Sequence, residues 1–185
     1  TVRMLQRNCA QSRPYMFFLS ETILEIKDTT NIAQKCGFQG CLLVSGQGHS
    51  GGLCLLWKEN IDVKILSFSS HHVAATIHAD HTPPWTFVRF YGWSSLNEKW
   101  KSWDLLGQLR HDLPSPILFG GDFNEIMYHK EKRGGAFRPS TLMSNFKNAI
   151  SRADLVDLGY AGNPFTWFRG NTDETRIAER LDRFL

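Results

Sequence analysis

A chain of 185 residues is long enough for one domain, and a domain of that size buries roughly 70% of the surface that its unfolded chain exposes. Hydrophobic residues make up 42% of the chain and charged residues 21%, which is ordinary for a folded globular domain. The net charge of only +3 excludes a polycation, so any contact with nucleic acid needs a local basic patch.

The first half of the chain alternates helices with short strands. Apolar residues at helical spacing predict a helix over residues 2–12, and a second, short helix over 31–36 ends at Gly37, a residue suited to a left-handed cap. Apolar and β-branched runs predict strands at 15–19, 41–44, 53–57, 61–68, 72–79 and 86–91. Residues 58–60 predict the turn of a β-hairpin, and the histidines between 71 and 81 lack metal-site spacing and are predicted to lie on the surface.

The second half contains the more strongly patterned helices. Ser95 and Glu98 form a capping-box motif, and the helix behind it is predicted to bury a face made of Leu96, Trp100, Trp103, Leu106 and Leu109. A second amphipathic helix carries Leu142, Phe146, Ile150 and Ala153, and short strands follow at 165–167 and 180–184. This order of elements favours mixed sheets covered by helices on their outer faces.

The stretch Pro114–Ile126 combines a buried strand with polar residues that suit phosphate chemistry. Residues 117–119 are too few for a helix and too apolar for an exposed loop, so they predict a strand buried on both faces. Asp122 and Asn124 follow two positions apart, so in extended chain both side chains leave on the same side. A carboxylate and an amide at one point suit a hard cation beside a phosphate, although a turn with Asp122 as a helix cap fits this stretch equally well.

Charged residues in two other segments allow a similar interpretation. Glu21 follows a predicted strand, as Asp122 does, but a solvated residue in the first turn of a helix is the alternative. The loop 128–139 holds two glycines and the basic residues Lys130, Lys132, Arg133 and Arg138. Such a loop could grip phosphates, and an ordinary solvated loop is an equal alternative.

The remaining features concern the cellular compartment of the protein and whether the two ends of its chain are natural. The four cysteines show no Cys-x-x-Cys spacing, so we expect reduced, buried thiols, with a zinc site at Cys36, Cys41 and His49 as the alternative. No apolar run approaches the roughly 18 residues of a membrane span, and no signal peptide opens the chain, so we expect an intracellular protein without a membrane partner. Both ends are expected to be cut rather than natural.

Seven strings occur in an order that covers nearly the whole chain: FLSET (18–22), GGLCLLW (51–57), FYG (90–92), LFGGDFNEI (118–126), EKRGG (131–135), DLGYAGNPFTW (157–167) and ERLDRFL (179–185). Together they resemble the endonuclease/exonuclease/phosphatase superfamily, which has the DNase I-like fold. More narrowly, the chain resembles the endonuclease domain of plant LINE-type non-LTR retrotransposons. The resemblance implies one α/β domain over residues 1–185, a four-layer sandwich of two mixed β-sheets between helices.

The resemblance also implies a site that hydrolyses phosphodiester bonds with Mg²⁺ or Mn²⁺. The implied roles are metal binding by Glu21, activation of water by Asp122, hydrogen bonding to that aspartate and the phosphate by Asn124, contact with the scissile phosphate by Tyr91, proximity to DNA of Thr166, and orientation of a catalytic histidine by Asp182. Lys132, Arg133 and Arg138 are the predicted nucleic-acid contacts.

Two parts of the family pattern have no match in this chain. The family opens with an asparagine-bearing strand and closes with a Ser-Asp-His strand, and none of the seven histidines stands in the matching context. We therefore expect the first and last core strands to be lacking, with exposed sheet edges, and Asp182 to lack its histidine.

We expect a metal-dependent DNA endonuclease domain of retroelement origin that nicks target DNA to prime reverse transcription. The expected partners are DNA and a reverse transcriptase domain in the parent polyprotein, and we expect a monomer that is nuclear if functional. Because of the missing strands, the chain itself should show little or no activity. The alternatives are a decayed, non-catalytic retroelement fragment and a phosphatase acting on lipid or nucleotide phosphates.

Overall fold

The computed structural model of the chain describes residues 2–22, 26–44, 52–80 and 82–185. It divides into two compact units, Thr1–Arg89 and Phe90–Leu185. The helices are α1 (Val2–Ser12), α2 (Ile26–Lys35), α3 (Lys99–Asp112) and α4 (Ser140–Arg152), with a 3₁₀ turn at His129–Glu131. The strands are β1 (Met16–Thr22), β2 (Gly40–Val44), β3 (Gly52–Trp57), β4 (Ile61–Ser69), β5 (His72–Ala79), β6 (Trp85–Tyr91), β7 (Ile117–Asp122), β8 (Lys132–Arg133), β9 (Trp167–Arg169), β10 (Ile177–Glu179) and β11 (Asp182–Phe184).

In the first unit, β3 is the central strand of an antiparallel sheet with the order β1-β3-β2. Its residues from Gly52 to Leu56 are all buried, as expected for a strand that is covered on both faces. One apolar cluster joins this sheet to its helices and contains Cys9, Ala33, Phe38, Cys54 and Leu56. Gly37 ends the helical segment with a φ of 77°, which confirms the predicted left-handed cap.

The predicted hairpin around residues 58–60 is wrong. Both hydrogen-bonding edges of β3 are already taken by β1 and β2, so no edge is left for β4. Instead β4 pairs with β5 in an antiparallel ladder that runs from Ile61 opposite Ala79 to Ser69 opposite His72. The turn therefore carries the chain from one sheet to another.

The prediction of surface histidines is wrong at His72. This side chain is buried, and its two ring nitrogens lie 3.1 and 2.8 Å from the hydroxyl oxygens of Ser67 and Ser69. Burial, and then the neighbouring His71, lower the pKa of His72, so the ring is held in its neutral form. His72 is a satisfied core residue of the β4–β5 ladder.

Strand β5 lies between β4 and β6, and strand β7 lies between β6 and β11. The second unit also contains a small three-stranded sheet with the order β8-β10-β9. Aromatic rings fill the core of the second unit: Phe123 stacks on Phe90 with ring centroids 4.9 Å apart, and Phe146 stacks on Trp103 at 4.7 Å. These contacts fix α3 and α4 against the sheet that carries Asp122.

Helix α3 buries only part of the face that its apolar pattern predicts, namely Leu106 and Leu109. Trp100 is 58% exposed, and the buried positions are Lys99, Ser102, Leu106 and Leu109. The polar residues can be buried because each has a partner: the Ser102 hydroxyl, for example, accepts a hydrogen bond of 2.8 Å from the Trp93 N–H. Helix α4 buries Met143, Phe146, Ala149 and Ile150, in agreement with its predicted face.

Within the described residues, no helix is both long enough and apolar enough to span a membrane.

Replacing Phe146 with alanine should destabilise the second unit strongly. The ring is fully buried and lies between Trp103 and Phe123, so its loss leaves a cavity that costs about 3–5 kcal/mol. Phe137→Ala is the matched control, since that ring is 89% exposed and should change the unfolding free energy by less than about 0.5 kcal/mol. Urea unfolding followed by tryptophan fluorescence measures both, and equal losses for the two variants would contradict the aromatic core.

Candidate active site

Strand β7 carries Asp122 from a buried apolar segment to a half-buried position at its end. Phe119 is fully buried, and β11 pairs antiparallel with β7 so that Phe184 lies opposite Gly120 and Asp182 lies opposite Asp122. A Cβ atom on Gly120 would be 2.5 Å from the Phe184 ring. Glycine therefore allows β11 to lie close enough to place Asp182 beside Asp122.

Asp122 and Asp182 form a cross-strand carboxylate pair. Farther along the same ladder, Phe119 and Leu185 exchange both backbone hydrogen bonds at 2.9 Å. Because hydrogen-bonded and non-hydrogen-bonded pairs alternate in an antiparallel ladder, Asp122 and Asp182 are a non-hydrogen-bonded pair. Side chains in such a pair leave on the same face with Cβ atoms about 4.5–5.5 Å apart, where like charges destabilise each other. The two predicted site residues are thus brought together in an arrangement that favours a nearby cation.

Asn124 has a left-handed backbone that is held from three sides. Its φ is 54°, a conformation that costs about 1–2 kcal/mol for most residues with a Cβ atom and is tolerated best by asparagine and aspartate. The Asn124 N–H donates to Asp122 Oδ1 at 2.7 Å, and its side-chain Nδ2 donates to the Gly92 carbonyl at 2.7 Å. The Lys99 ammonium donates to the Asn124 carbonyl oxygen. Since an amide nitrogen carries two N–H groups, the bond to Gly92 leaves capacity for a ligand.

Gly92 is a site residue that the sequence interpretation did not assign. Its N–H donates to the Asp122 carbonyl at 2.8 Å while its own carbonyl accepts from Asn124. A Cβ atom on Gly92 would lie 2.5 Å from the Phe123 carbonyl oxygen, so the close approach requires glycine. The signal was present in the sequence, because a glycine directly after a strand indicates close approach of another backbone.

Tyr91 and Thr166, the other predicted residues of the second unit, have different positions. Tyr91 is half-buried at the end of β6, directly before Gly92. The Thr166 hydroxyl accepts hydrogen bonds from the N–H groups of Leu181 and Asp182 at 3.1 and 3.0 Å. Thr166 therefore fixes the backbone at the start of β11, and its predicted proximity to DNA stays a prediction.

The predicted metal ligand Glu21 belongs to β1 in the first unit, and its side chain lies outside the described residues. Where side chains are described, no three His, Cys, Asp or Glu residues come together as a metal-binding group. The Asp122–Asp182 pair nevertheless offers carboxylate oxygens, which are the donors that Mg²⁺ prefers. The donor chemistry of this pair therefore fits a hard divalent cation.

The basic residues predicted to contact nucleic acid fall into two groups. Lys132 and Arg138 both form ion pairs with the Glu179 carboxylate, the second at 2.7 Å from Arg138 Nη2 to Oε2. Arg133 is exposed, and its guanidinium lies over the Phe165 ring, 5.2 Å from the centroid. Arg133 is thus the member of the predicted set whose side chain faces solvent.

The ion pairs of Lys132 and Arg138 belong to a longer series of alternating charges. Arg138 Nε also lies 3.1 Å from Glu125 Oε1, and Glu125 Oε2 lies 3.4 Å from Lys99 Nζ. The charge chain, as we call it, runs in the order Lys132, Glu179, Arg138, Glu125 and Lys99, and it ends at the Asn124 carbonyl. Burial lowers the pKa of Lys99, and the attraction of Glu125 opposes this effect. The sequence interpretation assigned no role to Lys99, Glu125 or Glu179.

A second group of buried charges includes Arg180 and Arg183, which lie on either side of Asp182 in the sequence. The guanidinium groups of Arg180 and Arg183 each bind both Glu131 and Asp157, at distances between 2.7 and 3.0 Å. Burial raises the pKa of Glu131 and Asp157, but the hydrogen bonds and positive charges of the arginines outweigh it, so both pKa values are lower than usual. We call these four residues the arginine–carboxylate square.

The fold is shared with solved structures that have little sequence identity to this chain. The endonuclease domain of TRAS1, a telomere-specific non-LTR retrotransposon, has a TM-score of 0.72 at 14% identity, with 99% of this chain and 77% of that chain covered. The 3′ phosphatase NExo from Neisseria, bound to a product DNA hairpin, has a TM-score of 0.69 at 15% identity, with coverage of 99% and 80%. An AP endonuclease from Archaeoglobus fulgidus has a TM-score of 0.67 at 13% identity and the same coverages. These likenesses confirm the predicted α/β class, with mixed sheets flanked by helices.

The amino-acid sequence also shows to which protein family the chain belongs. The model of the endonuclease/exonuclease/phosphatase family matches residues 2–185, so the chain belongs to that family. Curated proteins gave no match.

Gly92→Ala should disturb the site, because the added Cβ would press on the Phe123 backbone between Asp122 and Asn124. We expect a loss of about 1–3 kcal/mol in the free energy of unfolding. Gly107→Ala is the control, since a Cβ there meets no atom within 4 Å and glycine in a helix is less stable than alanine by about 1 kcal/mol. Urea denaturation should therefore give changes of opposite sign, and a stabilising Gly92→Ala would refute the close approach.

The arginine–carboxylate square predicts a loss of stability in acid. A carboxyl group with a lowered folded-state pKa contributes stability that is complete above its ordinary pKa, 4.5 for Glu131 and 3.8 for Asp157, and is lost as pH falls through the folded-state value. Urea unfolding at a series of pH values from 7 to 3 should show this decline, and Glu131→Gln should make it shallower. A wild-type stability that stays constant down to pH 3 would contradict the ion pairing.

Proposed function

We propose that this chain is a metal-dependent phosphodiester hydrolase that acts on DNA, the endonuclease domain of a LINE-type retroelement protein. The observation that carries the proposal is the convergence of Asp122, Asp182 and Asn124 at the end of β7. Membership of the endonuclease/exonuclease/phosphatase family supports a hydrolase of phosphate esters. The likeness of fold to the TRAS1 endonuclease domain supports the retroelement origin, and the motif strings favour a plant LINE-type element.

Each residue has a part in the proposed reaction. Asp122 orients a water molecule and accepts its proton, because a carboxylate that is ionised at neutral pH can act as a general base within hydrogen-bonding reach. Asn124 donates an amide N–H to the phosphate oxygen on which charge develops, and Tyr91 donates its hydroxyl to the scissile phosphate. Loss of one such preorganised donor typically lowers the rate by a factor of about 100–1,000.

The carboxylates of Asp122 and Asp182 would hold Mg²⁺ or Mn²⁺, which as a Lewis acid polarises a phosphoryl oxygen and lowers the pKa of bound water. A cation at that position also relieves the repulsion between the two aspartates. Asp182 is kept at this place by the Thr166 hydroxyl, which accepts from its N–H. The metal-binding role of Glu21 stays a prediction.

Contact with DNA would use the solvent-facing side of the β8-β10-β9 sheet. A groove of about 530 Å³ there is lined in part by Arg133, Phe165, Phe168 and Arg176. The guanidinium of Arg176 lies over the Phe168 ring, 5.5 Å from its centroid, which repeats the contact of Arg133 with Phe165. Arginine and aromatic side chains side by side suit a phosphate backbone with neighbouring bases. The proposed partner is therefore DNA, and the proposed location is the nucleus.

Asp122→Asn should abolish hydrolysis by removing the general base while keeping the shape of the side chain. With Mg²⁺ and supercoiled plasmid, we expect slow nicking by the wild type and a rate lower by about 100-fold or more in the variant. Asp112→Asn, an exposed carboxylate at the end of α3, is the control and should nick like the wild type.

Other outcomes of the same assay separate the alternatives. Equal nicking by wild type and Asp122→Asn would exclude Asp122 as the general base of an endonuclease. No nicking by either at high protein concentration would favour a decayed, non-catalytic fragment. Faster release of phosphate from inositol phosphates than nicking of DNA would favour a phosphatase. Rapid nicking that depends on Asp122 would overturn only the expectation of weak activity.

A further inference from the structure

The charge chain ends on a backbone atom of Asn124 and not on a side chain or in solvent. Lys99 Nζ donates to the Asn124 carbonyl oxygen and lies 3.4 Å from Glu125 Oε2. Asn124 and Glu125 are consecutive residues, so one ammonium group binds the backbone and the side chain of neighbouring positions. A single lysine thereby fixes the carbonyl orientation where the backbone has left-handed geometry.

Burial makes this arrangement rigid. Lys99 is 3% exposed and Glu125 is fully buried, so neither charge can turn towards water without loss of its partner. Removal of one partner from a buried pair leaves an uncompensated charge, which is strongly unfavourable. Glu125 is itself held by Arg138, whose other partner, Glu179, also binds Lys132. The position of Lys99 is therefore set by the whole charge chain.

The other contacts of Asn124 do not replace the contact with Lys99. The Asn124 N–H and side-chain Nδ2 bind Asp122 and Gly92, which leaves the carbonyl group to Lys99 among the described hydrogen bonds. Rotation of that carbonyl would change the Asn124 backbone angles and move the side-chain amide that is proposed to bind the phosphate. The Gly92 carbonyl holds the amide itself, and Lys99 holds the backbone from which that side chain extends.

Resting on the proposed function, we infer that Lys99 is a positioning residue: its contact with the Asn124 carbonyl keeps the Asn124 amide aimed at the scissile phosphate. The other members of the charge chain stabilise this contact through their ion pairs. They include Lys132 and Arg138, two of the basic residues predicted to contact DNA. The effect of Lys99 is on the chemical step, since it alters the aim of a transition-state donor and not the surface that binds DNA.

The experiment compares Lys99→Met, Lys99→Arg and Lys101→Met in otherwise wild-type protein. Lys101 is the matched control, because it lies on the same helix but pairs with Glu98 at the surface, where its side chain is 40% exposed. The rate of nicking as a function of DNA concentration gives kcat and KM. A second readout needs no activity: the side-chain amide signals of ¹⁵N-labelled asparagines, with those of Asn124 identified by their loss in Asn124→Gly.

We expect Lys99→Met to lower kcat by about 10- to 100-fold with KM changed less than about twofold, as for small misplacements of a catalytic group. Its Asn124 amide signals should shift and exchange faster with solvent. Lys99→Arg keeps the charge and should restore part of both effects, and Lys101→Met should behave like the wild type.

Unchanged Asn124 amide signals in folded Lys99→Met would overturn the inference, as would a rise in KM without a fall in kcat. If the wild type fails to hydrolyse DNA at all, the proposed function fails, and the amide signals alone decide whether Lys99 positions Asn124. If Lys99→Met does not fold, Glu125→Gln carries the test, because it removes the charge that holds Lys99 and should shift the same signals.

Discussion

The site of the second unit depends on the matching of buried charges. Lys99, Glu125, Arg183 and their partners are removed from water, and a buried ion stays charged at tolerable cost only if an opposite charge and hydrogen bonds replace its hydration. Each buried ion here has at least one partner of opposite sign. This requirement fixes several backbone segments at once, because every pair joins residues far apart in sequence. The arrangement of the candidate site follows from that matching.

The motif strings that resemble the family contain the residues of these ion pairs as well as the candidate site residues. LFGGDFNEI contributes Glu125 beside Asp122 and Asn124, EKRGG contributes Glu131, and ERLDRFL contributes Arg180 and Arg183 on either side of Asp182. The strings meet in space through the charge chain and the arginine–carboxylate square. A carboxylate or guanidinium within a motif can therefore serve to fix the position of a neighbouring site residue through an ion pair, without itself taking part in the reaction.

The elements were predictable from the sequence wherever burial follows hydrophobicity. Strand β7 around Phe119 and the buried face of α4 were both predicted, because apolar residues mark them in the sequence. The hairpin at residues 58–60 was not, because turn chemistry does not say which edges of a strand are already paired. The buried face of helix α3 was predicted only in part for a related reason. Lys99 is buried by partners that follow much later in the chain, and no local sequence pattern reveals them. Asp122 and Asn124 are close together, but the extended chain predicted for them is wrong, because Asn124 has a φ of 54° and its N–H turns back to Asp122 Oδ1, as in the alternative turn. The contacts of Gly92 and Lys99 depend on tertiary structure.

The facing aspartates Asp122 and Asp182 affect the free energy of unfolding of the second unit. A native fold usually minimises internal conflict, and a site where two like charges are forced together is a point of local frustration that the surrounding packing must sustain. Natural proteins tolerate such conflict mainly where activity requires it, so the catalytic role proposed for these two positions works against stability. A divalent ion bound there would act as a folding ligand as well as a catalyst, which couples the folded population of the second unit to the ionic composition of its surroundings.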